Sequence, residues 1–260
     1  MNKLLPATYF DEYKQRLTVD LSKQFKNLKP VPLKDDLTKS SFIISAVASS
    51  NIEGNTVDLN SYMRYIDSGK KFENKSLFEI ECLINAYEFA KVSNLTLKNL
   101  LQAHKTYAIA LNIHQRDIGA IRTEDVGIYL TKQNERPVKI YSAADKAIVK
   151  EELQKLFQEV VALNKTKLSI DEAFYFASLL HLVFVKIHPF ADGNGRGARL
   201  VEKWFLAHHL GKAAWHIPSE SYYWNHIRSY YSRLKIGKTY ESNNYAKCVP
   251  FLLLLSQSLK

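Results

Sequence analysis

Apolar residues recur at every third or fourth position through most of this chain, the spacing of helices that bury one face. Leu153, Leu156, Phe157, Val160 and Val161 form one such run. The pattern predicts helices at roughly 57–68, 76–92, 96–111, 145–164, 170–187, 195–210, 219–236 and 242–259. Ahead of them, a short helix from Ser41 should close at Gly54, since glycine readily ends a helix. "FDEYKQRLTVDLSKQFKNL" can make one further amphipathic helix before the proline-bearing "KPVPLKDD". Residues 126–143, "VGIYLTKQNERPVKIYSA", depart from this periodicity: β-branched and aromatic residues flank a polar turn, as in a β-hairpin. An isolated hairpin is marginal in water and must lean on the helices. Its residues are compatible both with a connector and with an edge that receives a peptide as an added strand. The expected fold is all-α, a helical bundle with one small β-hairpin.

Composition narrows the class without naming an activity. The chain has 260 residues, 46% hydrophobic, with nine glycines and seven prolines, enough for a substantial core and rich in helix formers. Its formal charge is +10, yet Lys and Arg are scattered, which argues against a nucleic-acid partner. Cys82 and Cys248 fit buried, reduced thiols, and no Cys-x-x-Cys pattern exists. His181, His208, His209 and His216 have no acid at metal-site spacing, so zinc is not expected. The N-terminus lacks the apolar run of a secretory signal, and "LLHLVFV" and "FLLLL" are far too short for a bilayer. A soluble cytoplasmic protein without membrane partners is the expectation.

The chemistry concentrates in "HPFADGNGRGAR", residues 188–199, a corner between an apolar helix stopped by Pro189 and a second helix. Asp192, Asn194 and Gly197 occupy the first, third and sixth positions of an EF-hand loop. Arg196 stands at the fifth and Lys203 at the twelfth, where oxygen ligands belong, so calcium fits poorly. Phosphate fits better. Gly193, Asn194 and Gly195 let successive N–H groups turn inward, and the next helix start adds free donors and a positive dipole end. Arg196 and Arg199, three apart, share a face and can both fork onto phosphate oxygens. That is equipment for a polyphosphate. Asp192 suits a Mg²⁺ bridged by phosphates, and His188 a general base.

The loop matches at every specified position His-x-Phe-x-Asp/Glu-Gly-Asn-Gly-Arg-x-x-Arg, and so resembles the signature of the Fic/Doc (Fido) superfamily. "GAIR" (119–122) and "YYSRL" (230–234) extend the likeness over about 41–256. The resemblance implies the Fic fold and transfer of AMP from ATP, with Mg²⁺, to a Tyr, Ser or Thr hydroxyl of a protein, this chain itself included. It makes His188 the base and Asp192 the magnesium ligand. Gly193, Asn194, Gly195, Arg196, Gly197, Ala198 and Arg199 would hold the phosphates, and Phe190 would anchor the loop. The hairpin, through Ile128, Tyr129, Leu130, Val138 and Ile140, would be the flap that docks the target. Tyr231 and Asn225 would lie near adenine or ribose.

Upstream, "SSNIEGN" resembles the family's inhibitory pattern, Ser/Thr-x-x-x-Glu-Gly/Asn, through Ser49, Glu53 and Gly54. This is the arrangement of the class with its inhibitory helix, here about 41–54, before the catalytic core. Residues 1–55 would then be a helical extension and 56–260 the core. A carboxylate on Arg199 would occupy the guanidinium that a γ-phosphate needs. Some relatives use this glutamate to remove AMP as well, and the sequence leaves the direction open. It also leaves open another donor (UTP, CDP-choline, or ATP as in a kinase) and a nucleotide-binding regulatory module without chemistry. A homodimer is compatible with the resemblance.

Overall fold

The computed structural model describes residues 3–33, 36–69, 74–130 and 138–260. Twelve helices and one hairpin succeed one another among them. Helices α1 (Phe10–Gln15), α2 (Leu21–Lys26), α3 (Leu37–Ile52), α4 (Leu59–Asp67), α5 (Lys75–Lys91) and α6 (Leu97–Ala108) precede the antiparallel strands β1 (Gly127–Leu130) and β2 (Val138–Ser142). After them come α7 (Val149–Leu163), α8 (Ile170–Ile187), α9 (Asn194–Leu210), α10 (Ser219–Asn225), α11 (Ile227–Arg233) and α12 (Val249–Gln257).

Helix starts follow side-chain caps that satisfy the first free N–H groups. Asp36, Asp58, Asn74 and Thr96 each accept from a backbone N–H of the turn they open, and Ser169 with Glu172 forms a capping box. Asp36 therefore starts α3 four residues earlier than the apolar pattern suggests. The helix expected over 10–28 is two helices: β-branched Thr18 and Val19 interrupt it, and Asp20 caps afresh, accepting from Lys23 N at 2.9 Å. The segment 219–236 breaks at His226, between α10 packed on α3 and α11 packed on α12. The last helix begins at Val249 rather than 242, with Pro250 in its first turn.

At the centre lies α8, buried at every position from Ala173 to Ile187, which explains its unbroken apolar character. Helices α7, α9 and α12 pack around it, and α3 lies against α5 and α10. The hairpin does lean on this body: Tyr141 Oη donates to the Lys186 carbonyl at 3.1 Å, and Ser142 N to the Lys238 carbonyl at 3.0 Å. Its turn lies outside the described residues, as do the side chains of Tyr129 and Leu130.

Candidate active site

Helix α8 stops where Pro189 disfavours the right-handed α conformation in the residue before it, and His188 turns left-handed (φ 55°, ψ 60°). This conformation costs a non-glycine residue about 1–3 kcal/mol and needs outside support. Arg122 supplies it. Its Nε donates to the His188 carbonyl at 2.7 Å and its N–H to the Pro189 carbonyl at 3.0 Å, while Nη1 and Nη2 hold the carbonyls of Glu124 and Ala144. The His188 ring lies 3.2 Å from the Val185 carbonyl through Nδ1. A carbonyl only accepts, so Nδ1 carries the proton and Nε2 presents a lone pair. Burial pushes the imidazole down to about 4, helped by the Arg122 charge, so it is neutral at physiological pH. A neutral ring with Nε2 unprotonated is what a base requires.

The loop that follows is closed from within. Phe190 is fully buried and stacks on His104, ring centroids 3.7 Å apart. Asn194 clasps Phe190 twice, its Oδ1 accepting from the Phe190 N–H and its Nδ2 donating to the carbonyl, both at 2.8 Å. His104 Nδ1 accepts from Gly119 N at 3.0 Å, which leaves Nε2 to donate to the Asp192 carbonyl at 3.2 Å. Tyr107 Oη donates to the Gly193 carbonyl at 3.0 Å. Gly193 (φ 80°) is required here: a β-carbon would meet the Tyr107 ring at 2.7 Å. No side chain caps α9, so the first-turn N–H groups of Asn194, Gly195 and Arg196 remain for a ligand.

Both arginines of the loop face carboxylates. Arg199 is fully buried, with Nη2 donating to Glu53 Oε1 at 2.7 Å and to the Ser49 carbonyl at 3.1 Å. Its Nε donates to Ser49 Oγ at 2.8 Å and its Nη1 to Tyr230 Oη at 3.3 Å. Burial alone would raise the Glu53 carboxyl, but the Arg199 and Arg196 charges hold it below its ordinary value. Arg196 is gripped by Glu79 of α5 through Nε and Nη2. Glu53 also lies against the loop itself, because a β-carbon on Gly195 would fall 2.1 Å from its Oε1. Asp192 is exposed, with Oδ1 accepting from Gly193 N at 2.6 Å.

Several expectations change. The Asn194 side chain serves the loop's own closure, leaving only its N–H towards the open side. Gly197 and Ala198 face inward: the Gly197 N–H bonds the Gly193 carbonyl at 2.9 Å and a β-carbon there would meet Tyr107 and Phe184, while Ala198 is fully buried. They let α9 pack closely rather than offer donors. Tyr231 Oη donates to the Ile52 carbonyl at 3.0 Å at the end of α3, while its ring stays exposed (44%). Asn225 ends α10 exposed, and no hydrogen bond joins its side chain to the loop among the described residues. Val138 and Ile140 stand exposed on β2, and Ile128 is half-buried on β1. Sequence reasoning missed Arg122's grip, His104, Tyr107, Glu79 and Tyr230. Only the three-residue spacing of His104 and Tyr107 hinted at a shared face of α6.

Comparison with known proteins gives these features a context. Residues 94–206 match the Fic/DOC family. The chain is 31% identical over 159 residues to the protein adenylyltransferase Fic of Nematostella vectensis, covering 59% of this chain and 34% of that protein. It is 26% identical over 185 residues to protein adenylyltransferase fic-1 of Caenorhabditis briggsae, covering 70% and 35%. The chain thus spans about a third of the length of these curated relatives. Its fold is similar to a Fic family protein from Desulfovibrio desulfuricans (TM-score 0.70, 24% identity, 97% of this chain and 71% of the other). A Fic domain containing signaling protein from Bacteroides thetaiotaomicron also superposes (TM-score 0.64, 21% identity, 95% and 92%).

Proposed function

This chain carries a Fic/DOC-family domain, and from that premise we propose that it is a protein adenylyltransferase, moving AMP from ATP to a Tyr, Ser or Thr hydroxyl of a protein and restrained by Glu53. The observation that carries the reading is one corner of structure: a neutral His188 with its Nε2 lone pair available, beside a helix start with three uncapped N–H groups and two arginines. In the reaction the target oxygen bonds to the α-phosphorus as the bond to pyrophosphate breaks, and the hydroxyl proton passes to His188 Nε2. First-turn N–H groups and Arg199 would receive the charge on the phosphates.

Asp192 suits magnesium. It is an exposed carboxylate at the loop mouth, and Mg²⁺ takes one or two carboxylates plus phosphate oxygens and water. Such a site needs no cluster of three acids or histidines, and none occurs among the described residues. When bound, the ion neutralises and orients phosphate oxygens. Glu53 supports restraint because it holds the guanidinium a γ-phosphate would use and brings negative charge to the same spot. In this reading residues 1–55 carry the brake and 56–260 the transferase core. No helix among the described residues is long and apolar enough to cross a membrane.

The test is His188→Ala in a Glu53→Gly background, incubated with labelled ATP and Mg²⁺ and followed by intact mass. Label uptake should vanish while ATP still raises the melting temperature; retained transfer would remove the base from the mechanism. Running ATP, UTP, GTP and CDP-choline side by side fixes the donor, since the loop's donors address phosphates and leave the base unread.

A further inference from the structure

The two arginines of the loop are held in different ways. Arg199 uses every side-chain nitrogen: Nε donates to Ser49 Oγ, Nη1 to Tyr230, and Nη2 to Glu53 and the Ser49 carbonyl. Arg196 donates through Nε, at 3.1 Å, and through Nη2, both to Oε1 of Glu79. Its Nη1 makes no hydrogen bond among the described residues. A guanidinium carries its five N–H groups in a rigid plane, with Nε and Nη2 along one edge and Nη1 and Nη2 along another. Glu79 takes the first edge and leaves the second, which matches two oxygens of a phosphate.

Glu79 can hold this grip because α5 is itself fixed. Leu77, Ile80, Leu83 and Ile84 bury its inner face, and Asn74 caps its start, accepting from Leu77 N at 2.9 Å. Tyr62 of α4 donates to Glu81 at 2.6 Å. Asn55, two residues past Glu53, donates from Nδ2 to the Ser76 carbonyl at 2.9 Å, which ties the first turn of α5 to the end of α3. The pair is shielded as well, the Arg196 side chain being 7% exposed and that of Glu79 14%. An arginine is rich in rotamers, and one left loose surrenders that freedom each time it binds a phosphate. Held by Glu79, Arg196 has surrendered it on folding.

We propose that Glu79 is a positioning residue, which holds Arg196 by one edge so that its other edge is set in advance for the phosphates of ATP. The two acids then act in opposite senses: Glu53 occupies an arginine, while Glu79 aims one. The inference rests on the transferase reading, and adds to it a residue that works on the nucleotide only through Arg196.

Calorimetric titration of the whole chain with ATP and Mg²⁺, in a Glu53→Gly parent, tests it through a double-mutant cycle. Removing a carboxylate near the phosphates should by charge alone tighten binding, so the sign of the change is decisive. Glu79→Ala should weaken ATP about tenfold, the cost of ordering a freed arginine. Glu79→Gln, which keeps the acceptor and loses the charge, should stay within about threefold of the parent or bind more tightly. Once Arg196→Ala is present, Glu79→Ala should no longer weaken ATP at all. Equal or tighter binding by Glu79→Ala would overturn the proposal, as would the same loss without Arg196, the mark of general loosening. A glutamine variant as weak as the alanine one would overturn it too. Should Glu79→Ala fold poorly, Glu79→Asp carries the test: it keeps the charge, draws the oxygen back by one methylene and should bind ATP more weakly than the parent, whereas equal binding would refute the inference. Binding in this pattern without label transfer would sink only the transferase reading. Transfer with an ATP affinity indifferent to Glu79 would sink only the positioning role.

Discussion

Replacing Glu53 by glycine removes the one carboxylate that Arg199 contacts among the described residues. Arg199 is fully buried and Glu53 is 27% exposed, so the pair is only partly screened. A buried pair that loses one partner costs about 3–5 kcal/mol, but Arg199 keeps Ser49 Oγ, the Ser49 carbonyl and Tyr230 Oη, which reduces the loss to about 1–3 kcal/mol. The ligand-free melting temperature should fall by about 3–9 °C. With ATP and Mg²⁺ the sign reverses, because the γ-phosphate gains a guanidinium and no longer faces a carboxylate. If about 2 kcal/mol of that coupling reaches the transition state, transfer rises roughly 30-fold. The assay is time-resolved label uptake from ATP, with melting curves with and without nucleotide. Glu53→Gln sharpens the test: it keeps an oxygen acceptor and the size of the side chain while removing the charge. It should track the glycine variant if charge is the brake, and the wild type if mere occupancy is. Equal uptake by all three proteins, together with equal stabilisation by ATP, would refute the argument.

Two further outcomes follow from the same geometry. Gly195→Ala should destabilise the wild type by displacing Glu53 from Arg199, since the new methyl would lie 2.1 Å from Oε1. In the Glu53→Gly background it should be neutral or stabilising by up to about 1 kcal/mol, as Ala outranks Gly inside a helix, and additive urea midpoints across the four proteins would contradict this. Stability should also fall on acidification from pH 6.5 to 4, because burial pushes His104 and His188 down to about 4 from 6.5 and the unfolded chain takes up protons first. His104, fully buried, should cost about 2 kcal/mol by pH 5, less being due to the partly exposed His188; His104→Gln should flatten the slope of urea midpoint against pH, and an unaltered slope would count against it.

The local parts of this molecule were legible because they are built from neighbours in sequence. The helix periodicity, the stop at Pro189, the left-handed Gly193 and the uncapped start of α9 all act within a few residues. So does the Asn194 clasp on Phe190, four positions away, although its use for loop closure rather than for ligand contact appears only in three dimensions. The break at His226 was invisible, since no proline or glycine marks it and the packing of α10 on α3 and α11 on α12 decides it.

The sequence by itself thus determined the bundle, the hairpin and the helix–loop–helix corner at 188–199. The tertiary structure decided which acid faces which arginine: Glu79 meets Arg196 across 117 positions, and Glu53 meets Arg199 across 146. The family pattern pointed to the second pair, but nothing marked Glu79. The reason is physical. A glutamate on an amphipathic helix looks alike wherever it occurs, and its role is fixed only when folding brings one distant cation, and no other, within reach of its carboxylate.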